Sequence, residues 1–156
     1  MGRVTILFAG YEADEALVAA LYQAADVYVH AARVGAETQG LALLEALASG
    51  TPVVATDVGG IPEAVKSLRA ASSGSGHRSD GDGATGILTP PGDPKALAGA
   101  VALLLENDHL RQAMSSNATE DARRRFDLQT QVEAYLNWYR EIVAARVYRS
   151  TTRQLG

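Results

Sequence analysis

Short apolar runs alternate with helical patterns over the first 56 residues, and this alternation restricts the possible fold more than any other feature. The runs at 3–11 and 27–32 and the stretch "TPVVATDVGG" are typical of buried strands, and the last has a proline near its start, where a strand tolerates one. The segments at 13–26 and 41–48 carry apolar residues at helical spacing. Strand, helix, strand, helix, strand predicts an α/β fold with a Rossmann-like, doubly wound parallel sheet.

The remainder of the chain predicts a helical C-terminal segment within a single domain that covers residues 1–156. Residues 67–85 are rich in Ser and Gly, which predicts a flexible insertion loop. A short strand at 87–89 follows, then a helix that begins at Asp93-Pro94, a good capping pair. Two more helices are expected at about 108–125 and 128–147.

Charge and cysteine content exclude several classes of function. The 14 basic and 18 acidic residues give a net charge of -4, so we expect no nucleic-acid partner. The chain has no cysteine, which removes disulfides and thiolate-bound zinc. Neither a leader nor an apolar run of membrane-spanning length is evident, and we expect a soluble, cytoplasmic protein.

One acidic residue, Glu45, interrupts the apolar helix "LALLEALA". A helix that is apolar on every side is expected to pack between layers, and a buried carboxylate costs several kcal/mol unless it is hydrogen-bonded. Glu45 is therefore expected to face a cleft or a ligand. The alternative is an exposed face one residue wide, or a structural pair with an arginine or a backbone amide, and the pattern alone favours neither.

Glycines mark two further candidate positions. Gly40 begins the same helix, where free N–H groups and the helix dipole favour phosphate or sugar oxygens. Gly59 and Gly60 follow the third strand, and open parallel sheets bind ligands beyond the carboxyl ends of their strands. Glycine pairs are also common in plain turns, so this second signal is weak by itself.

Together these stretches resemble a known family. The sequence "ETQGLALLEALASGTPVVATDVGGIPE" resembles the nucleotide-sugar half of family-4 retaining glycosyltransferases of the GT-B fold, where E-x-F-G-x-x-x-x-E leads into E-A-x-A-x-G-x-P-V-V-A and a G-G-x-P-E loop. Upstream, "FAGYEADEALVAALYQAADVYVHAA" is similar to that family's preceding strand and helix. Downstream, "GATGILTPPGDPKALAGAVALLLEN" is similar to its G-x-x-G-x-L-v-x-x-x-D segment, so the resemblance covers nearly the whole chain.

The resemblance implies a function and a role for each matching residue. Glu37 would contact hydroxyls of the donor sugar as the catalytic acidic residue, and Glu45 would be buried to accept hydrogen bonds from both ribose hydroxyls. The remaining donor-binding positions are the turn whose backbone amides would hold the sugar and diphosphate, and the later glycine loop: Gln39, Gly40, Leu41, Gly59 and Gly60. The implied reaction is sugar transfer from a UDP- or GDP-sugar with retention of configuration, without a metal or other cofactor.

The chain also departs from that family. Gln39 stands where the family often has Phe, which alters the sugar pocket. Family members carry an Arg and a Lys on a preceding strand and helix, and an N-terminal acceptor-binding domain before those. We therefore expect an incomplete C-terminal half of a GT-B fold that is inactive in isolation, with the acceptor domain missing or separate. Peripheral membrane association would belong to the full-length enzyme, and Arg33, the one cation near the site, is expected to be a solvated loop residue.

Several other signals carry less weight. Asp80 and Asp82 resemble a metal-binding motif but lie in the Ser/Gly insertion, so no metal site is expected. His30, at a strand end, faces the cleft or, more commonly for such a residue, is a hydrogen-bonded structural histidine. The alternative functions are a non-catalytic nucleotide-binding or partner module, and an enzyme on the same fold such as a sugar-nucleotide epimerase. A phosphorylase would need a cofactor-bearing lysine, and the positions of Lys66 and Lys95 argue against one.

Overall fold

A computed structural model describes residues 4–68 and 83–154, with side chains as far as residue 146. The chain divides into two units, residues 1–121 and 122–156, so a single domain over 1–156 stays a prediction. The elements in chain order are α1 (Glu15–Ala24), β1 (Tyr28–His30), α2 (Leu41–Ala48), β2 (Val53–Thr56), α3 (Ile61–Ala64), β3 (Gly86–Thr89), α4 (Pro94–Glu106), α5 (Asp108–Arg125) and α6 (Leu128–Gln154).

The three strands form one parallel sheet in the order β1-β2-β3. Val54 of β2 is in register with Val29 of β1 and with Ile87 of β3. Just before β3, Ser67 forms an isolated parallel bridge with Gly86. Parallel strands of this kind require crossover connections, and α2 supplies the first of them.

Strand β2 is buried along its whole length, which places it at the centre of the core. Val54 packs in a cluster with Leu104 of α4 and Met114 of α5. Because side chains alternate along a strand, Val53 and Ala55, both fully buried, point to the opposite face. Helix α2 packs against β1 and β2, and α4 packs against β2 and β3, so the central strand is buried on both faces and the predicted α/β class is confirmed.

The predicted strand at 3–11 is wrong. Residues 4–14 form neither a strand nor a helix, and the apolar side chains of Ile6, Leu7 and Phe8 are exposed. Within the described ranges no strand pairs with this segment. A strand without a neighbour leaves its backbone N–H and C=O groups without partners from a sheet, so apolar composition alone does not produce one.

Local capping explains where the predicted helices begin. The carboxylate of Asp14 accepts hydrogen bonds from the N–H groups of the first turn of α1, and Asp93 does the same for α4 ahead of Pro94. The short helix α3 was not predicted, and α6 extends beyond the predicted end at residue 147.

The Ser/Gly insertion is anchored at both ends. The N–H of Thr85 donates to the carbonyl of Lys66 (2.8 Å), and Thr85 is buried. Residues 69–82 lie outside the described part of the chain, so the flexible loop stays a prediction, and so does the expectation for Asp80 and Asp82. Over 4–68 and 83–154, no helix is both long and apolar enough to cross a membrane.

Candidate functional site

The predicted site residues lie in two loops that follow neighbouring strands. Residues 31–40 connect β1 to α2, and residues 57–60 connect β2 to α3. The carboxyl ends of parallel strands meet at one edge of the sheet, so the two loops lie side by side. The structure therefore brings Glu37, Gly59 and Gly60 together at the edge where ligands of such sheets bind.

The carboxylate of Glu37 is held at both of its oxygens. Its Oε1 accepts hydrogen bonds from the backbone N–H groups of Thr38 (3.0 Å), Gln39 (3.2 Å) and Gly40 (2.8 Å). Its Oε2 lies 3.1 Å from Nε2 of His30. The Gly40 N–H, followed by the Gln39, Thr38 and His30 donors, lowers the pKa of Glu37 despite partial burial. At neutral pH Glu37 is therefore an oriented hydrogen-bond acceptor and not a proton donor.

These bonds reduce the number of backbone N–H groups in this turn that are available to a ligand. The N–H groups of Gln39 and Gly40, predicted to hold the sugar and diphosphate, donate to Glu37 in this structure. The N–H of Leu41 lies in the first turn of α2, where a helix has no preceding helical carbonyl to bind. Among these three amides, Leu41 is the one best placed to reach an anion.

Gly40 has a backbone conformation that other residues rarely adopt. It is buried, with φ 72° and ψ 60° in the left-handed region, and it immediately precedes α2. This bend directs the Gly40 N–H back to Glu37 and leads the chain into the helix. The predicted importance of a glycine here has a conformational cause, independent of any ligand.

Gly59 and Gly60 press against the loop that carries Glu37. The N–H of Gly60 donates to the carbonyl of Thr38 (2.8 Å). A β-carbon on Gly59 would overlap the carbonyl oxygen of Glu37, and one on Gly60 would come within 2.5 Å of that of Thr38. The glycine pair thus allows close packing of the two loops, and its predicted contact with a donor stays a prediction.

Glu45 is exposed, and the prediction that it is buried is wrong. Leu41, Glu45 and Ala48 share one exposed face of α2, while Leu43, Ala46 and Leu47 are buried. The periodicity of the helix puts residues four and three apart on one face, so a single stripe remains outside the core. The exposed face that the sequence left open as an alternative is present, and Glu45 on that face also faces a cleft, as expected.

Part of this exposed face lines a cleft of about 600 Å³. Glu45, Ala48 and Ser49 line it from α2 and its C-terminal end, and Tyr22 and other α1 residues line the opposite side. Glu12 and Glu15 also line the cleft, which gives it three carboxylates in all. Carboxylates favour a ligand that presents hydroxyl or amine donors.

Two tyrosines connect Glu45 with the Glu37 region. The hydroxyl of Tyr22 donates to Oε2 of Glu45 (3.3 Å), and the Tyr22 ring meets Tyr28 edge-on at 5.7 Å. Burial, then the charge of Glu45 and the neighbouring Tyr28, raise the pKa of Tyr22 to about 12. Burial, then Glu37 and Glu45, also raise the pKa of Tyr28. Both tyrosines therefore keep their protons well above neutral pH.

The sequence did not identify Tyr22 or Tyr28 as site residues. For His30 it favoured a structural role over a role in the site. The signal for Tyr28 and His30 is their spacing of two on a strand, which places both side chains on one face of β1. No comparable local pattern marks Tyr22, which approaches Glu45 only because α1 packs against α2.

Two basic residues lie close to these loops in the sequence. Arg33 is exposed, as predicted for a solvated loop residue. The ammonium of Lys66 pairs with the buried carboxylate of Asp121 on α5. No cluster of potential metal ligands occurs within residues 4–68 and 83–154.

Sequence comparison shows what the chain is similar to. The family model described as glycosyl transferases group 1 matches residues 2–121. A phosphatidyl-myo-inositol mannosyltransferase of Mycobacterium leprae is 38% identical over 113 residues, which are 72% of this chain and 26% of the relative. A D-inositol 3-phosphate glycosyltransferase of Saccharomonospora viridis is 36% identical over 136 residues, 87% of this chain and 27% of the relative. The chain thus spans about a quarter of the length of these relatives.

Solved structures share its fold. Sucrose-phosphate synthase of Thermosynechococcus elongatus matches 83% of this chain and 28% of its own, with a TM-score of 0.65 and 29% identity. Anabaena HepE in complex with UDP matches 83% of this chain and 31% of its own, with a TM-score of 0.65 and 31% identity. A further structure of HepE contains UDP-glucose and matches with a TM-score of 0.57. The predicted relation to GT-B glycosyltransferases is confirmed.

Proposed function

Because the chain belongs to the group 1 glycosyl transferases, we propose that it supplies the donor-binding part of an enzyme that transfers a sugar from a nucleotide diphosphate. The observation that carries this proposal is the carboxylate of Glu37, which is ionised and oriented at the carboxyl edge of the parallel sheet. Glu45 supplies a second carboxylate from α2, in a cleft that α2 forms with α1. The UDP and UDP-glucose complexes of the HepE structures support a nucleotide-sugar ligand.

The ribose of the nucleotide is proposed to bind at Glu45. Two vicinal hydroxyls can donate to one carboxylate, and charge-assisted hydrogen bonds of this kind are short and strong. Tyr22 already donates to Oε2, so it orients the carboxylate and leaves Oε1 for the diol. An exposed Glu45 suits this role because its oxygens are accessible from the cleft.

The diphosphate is proposed to lie at the start of α2, between the two carboxylates. The helix N-terminus carries partial positive charge, and the N–H of Leu41 is in its first turn. The start of α2 lies between Glu37 and Glu45 along the chain, so a donor that contacts both carboxylates is proposed to pass it.

The transferred sugar is proposed to donate a hydroxyl hydrogen bond to Glu37. In the reaction, the bond between the anomeric carbon and the diphosphate oxygen breaks, the acceptor oxygen forms a new bond to that carbon, and the acceptor's proton passes to the departing diphosphate. We propose retention of configuration and catalysis by positioning and electrostatic stabilisation, with no metal or other cofactor. Glu37, with its lowered pKa, would act as an acceptor that holds the sugar.

The acceptor site is proposed to lie in a part of the enzyme beyond the described fold. The names of the sequence relatives favour an acceptor with an inositol group. A lipid-linked acceptor, as the name of the Mycobacterium leprae relative indicates for that protein, would bring the full-length enzyme to a membrane surface. We propose a cytoplasmic location, with which the absence of cysteine is consistent.

A ligand panel tests the proposal. UDP, GDP and ADP, each with a matching nucleotide sugar, are added to the chain while its melting temperature is recorded. A ligand that binds the folded state raises the apparent stability by RT ln(1 + [L]/Kd). We expect at least one nucleotide and its sugar to raise the melting temperature in a saturable manner, and calorimetry to give a matching Kd. No shift with any of them at millimolar concentration would overturn the proposed function.

A further inference from the structure

Three side chains form a hydrogen-bonded series that ends at Glu37. The hydroxyl of Tyr28 lies 3.2 Å from Nδ1 of His30, and Nε2 of the same ring lies 3.1 Å from Oε2 of Glu37. Tyr28 and His30 lie two apart on β1 and share one face of that strand. The His30 and Glu37 side chains are mostly buried, with 18% and 23% of their surfaces exposed.

The chemistry of Tyr28 and Glu37 determines which nitrogen of the neutral His30 ring carries the hydrogen. The Tyr28 hydroxyl keeps its proton because its pKa is raised, first by burial and then by Glu37 and Glu45. A protonated hydroxyl can donate to Nδ1, and an ionised carboxylate can only accept from Nε2. In the neutral ring, Nδ1 is therefore the acceptor and Nε2 carries the hydrogen that is donated to Glu37.

The two oxygens of Glu37 receive their bonds from different elements. Oε1 is bound by three backbone N–H groups of its own loop, and Oε2 is bound by a side chain from β1. The loop bonds alone leave the carboxylate plane free to tilt about Oε1. The contact from β1 fixes that plane and leaves Oε2 with room for one more donor.

We propose that His30 is a positioning residue, which holds the Glu37 carboxylate through Nε2–H so that Oε2 faces a hydroxyl of the donor sugar. This inference rests on the proposed function of Glu37. A fixed acceptor is needed because misplacement of the sugar by a fraction of an ångström weakens both its binding and its transfer. His30 therefore affects binding of the sugar portion of the donor, through Glu37, and does not affect binding of the nucleotide portion.

Binding measurements separate this role from a general effect on the fold. His30→Phe keeps an aromatic ring but removes both nitrogens, and His30→Gln keeps an N–H donor in a similar place. UDP and UDP-glucose are titrated by calorimetry into the wild type and both variants, and GDP and GDP-mannose serve as the second pair of probes. We expect His30→Phe to weaken binding of the nucleotide sugar about tenfold, and that of the free nucleotide by less than about twofold. His30→Gln should restore most of the loss.

An equal loss for nucleotide and nucleotide sugar, or no loss for either, would overturn the positioning role. Melting temperatures of the variants check that each one folds. If the wild type binds neither of these nucleotide sugars and no member of the wider ligand panel, the proposed function is overturned. The contact between His30 and Glu37 is then decided by a measurement without ligand.

That measurement is nuclear magnetic resonance of the ring and the carboxylate. Nitrogen-15 shifts of His30 should show the Nε2–H tautomer in the neutral state, and Tyr28→Phe should reduce this preference. Carbon-13 titration of the Glu37 carboxyl should give a higher midpoint in His30→Phe than in the wild type. An Nδ1–H tautomer, or an unchanged Glu37 midpoint, would overturn the hydrogen-bond series.

Discussion

The backbone N–H of Gly60 donates a 2.8 Å hydrogen bond to the carbonyl oxygen of Thr38, and this bond joins the two loops at the carboxyl edge of the sheet. The preceding glycine makes the approach possible, because a β-carbon on Gly59 would overlap the carbonyl oxygen of Glu37. Gly59 also has φ 55°, in the left-handed region. We expect Gly59→Ala to lower the free energy of unfolding by about 2 to 4 kcal/mol, through the collision and the strained backbone together.

Gly92→Ala is the matched control for this substitution. Gly92 has φ 77°, but a β-carbon there would meet nothing within 4 Å. Only the backbone cost applies, so we expect a loss of about 1 kcal/mol. Urea unfolding of both variants measures the difference. Equal losses would mean that the loops can separate freely at Gly59, in which case the close packing does not contribute to stability.

The parts of the fold that local chemistry specifies were predictable from sequence. Helix α2 ends where Gly50 adopts φ 82° and where the N–H of Thr51 reaches back to the carbonyl of Ala46. The apolar run that follows it forms the buried strand β2. Helix α4 begins at the predicted cap Asp93, whose carboxylate accepts from the N–H groups of Lys95 and Ala96.

The parts that depend on distant partners were not predictable. The run at 3–11 has the composition of a strand, but pairing is non-local and the described part of the chain supplies no neighbouring strand for it. The apolar composition of α2 also led to the wrong prediction that Glu45 is buried, because composition does not reveal which face of the helix the rest of the fold covers. Leu41 is 68% exposed despite its apolar side chain, and Glu45 lies on the same stripe.

The candidate site also contains local contacts, which the sequence can predict, and contacts between distant elements, which it cannot. The N–H groups of Gln39 and Gly40 donate to Glu37 from two and three residues along the chain, and the left-handed conformation of Gly40 makes these local bonds possible. The contacts of Tyr22 with Glu45 and of His30 with Glu37 join different elements, over 23 and 7 positions of chain. Only the packed structure shows which side chains hold the two carboxylates.

Glu45→Gln is expected to weaken nucleotide binding by about 1 to 3 kcal/mol, the scale of a lost charge-assisted hydrogen bond. Because Glu45 is exposed, the free energy of unfolding should change by less than about 0.5 kcal/mol. Calorimetric titration with the best nucleotide of the panel measures the first quantity, and urea unfolding measures the second. Glu106→Gln, at the exposed end of α4, has the same effect on net charge and should leave binding unchanged. Equal affinities of the wild type and Glu45→Gln would refute the ribose assignment.

Tyr22 is expected to make stability fall at alkaline pH. Its folded-state pKa is about 12, above the ordinary value of 10.0, because burial and Glu45 disfavour the phenolate. The unfolded state therefore releases this proton first, so the contribution of Tyr22 is complete below pH 10 and is lost as the pH rises to about 12. We compare the free energy of unfolding of the wild type with that of Tyr22→Phe. The advantage of the wild type should decrease by about 1 to 2 kcal/mol between pH 10 and about pH 12, after allowance for solvent screening. Ultraviolet titration of the tyrosines gives the midpoint independently, and a pH-independent difference would contradict the assignment.

The two lysines of the chain should contribute very differently to stability. Lys66 pairs with Asp121, whose side chain is 5% exposed, while Lys95 lies in the exposed first turn of α4. Removal of the Lys66 ammonium leaves a buried carboxylate with less compensation, although Asp121 keeps its other interactions. We expect Lys66→Ala to lower the free energy of unfolding by about 1 to 3 kcal/mol, and Lys95→Ala by less than about 0.5 kcal/mol. Denaturant unfolding at neutral pH compares the two directly. Equal losses for the two variants would show that the ion pair of Lys66 with Asp121 does not contribute to stability.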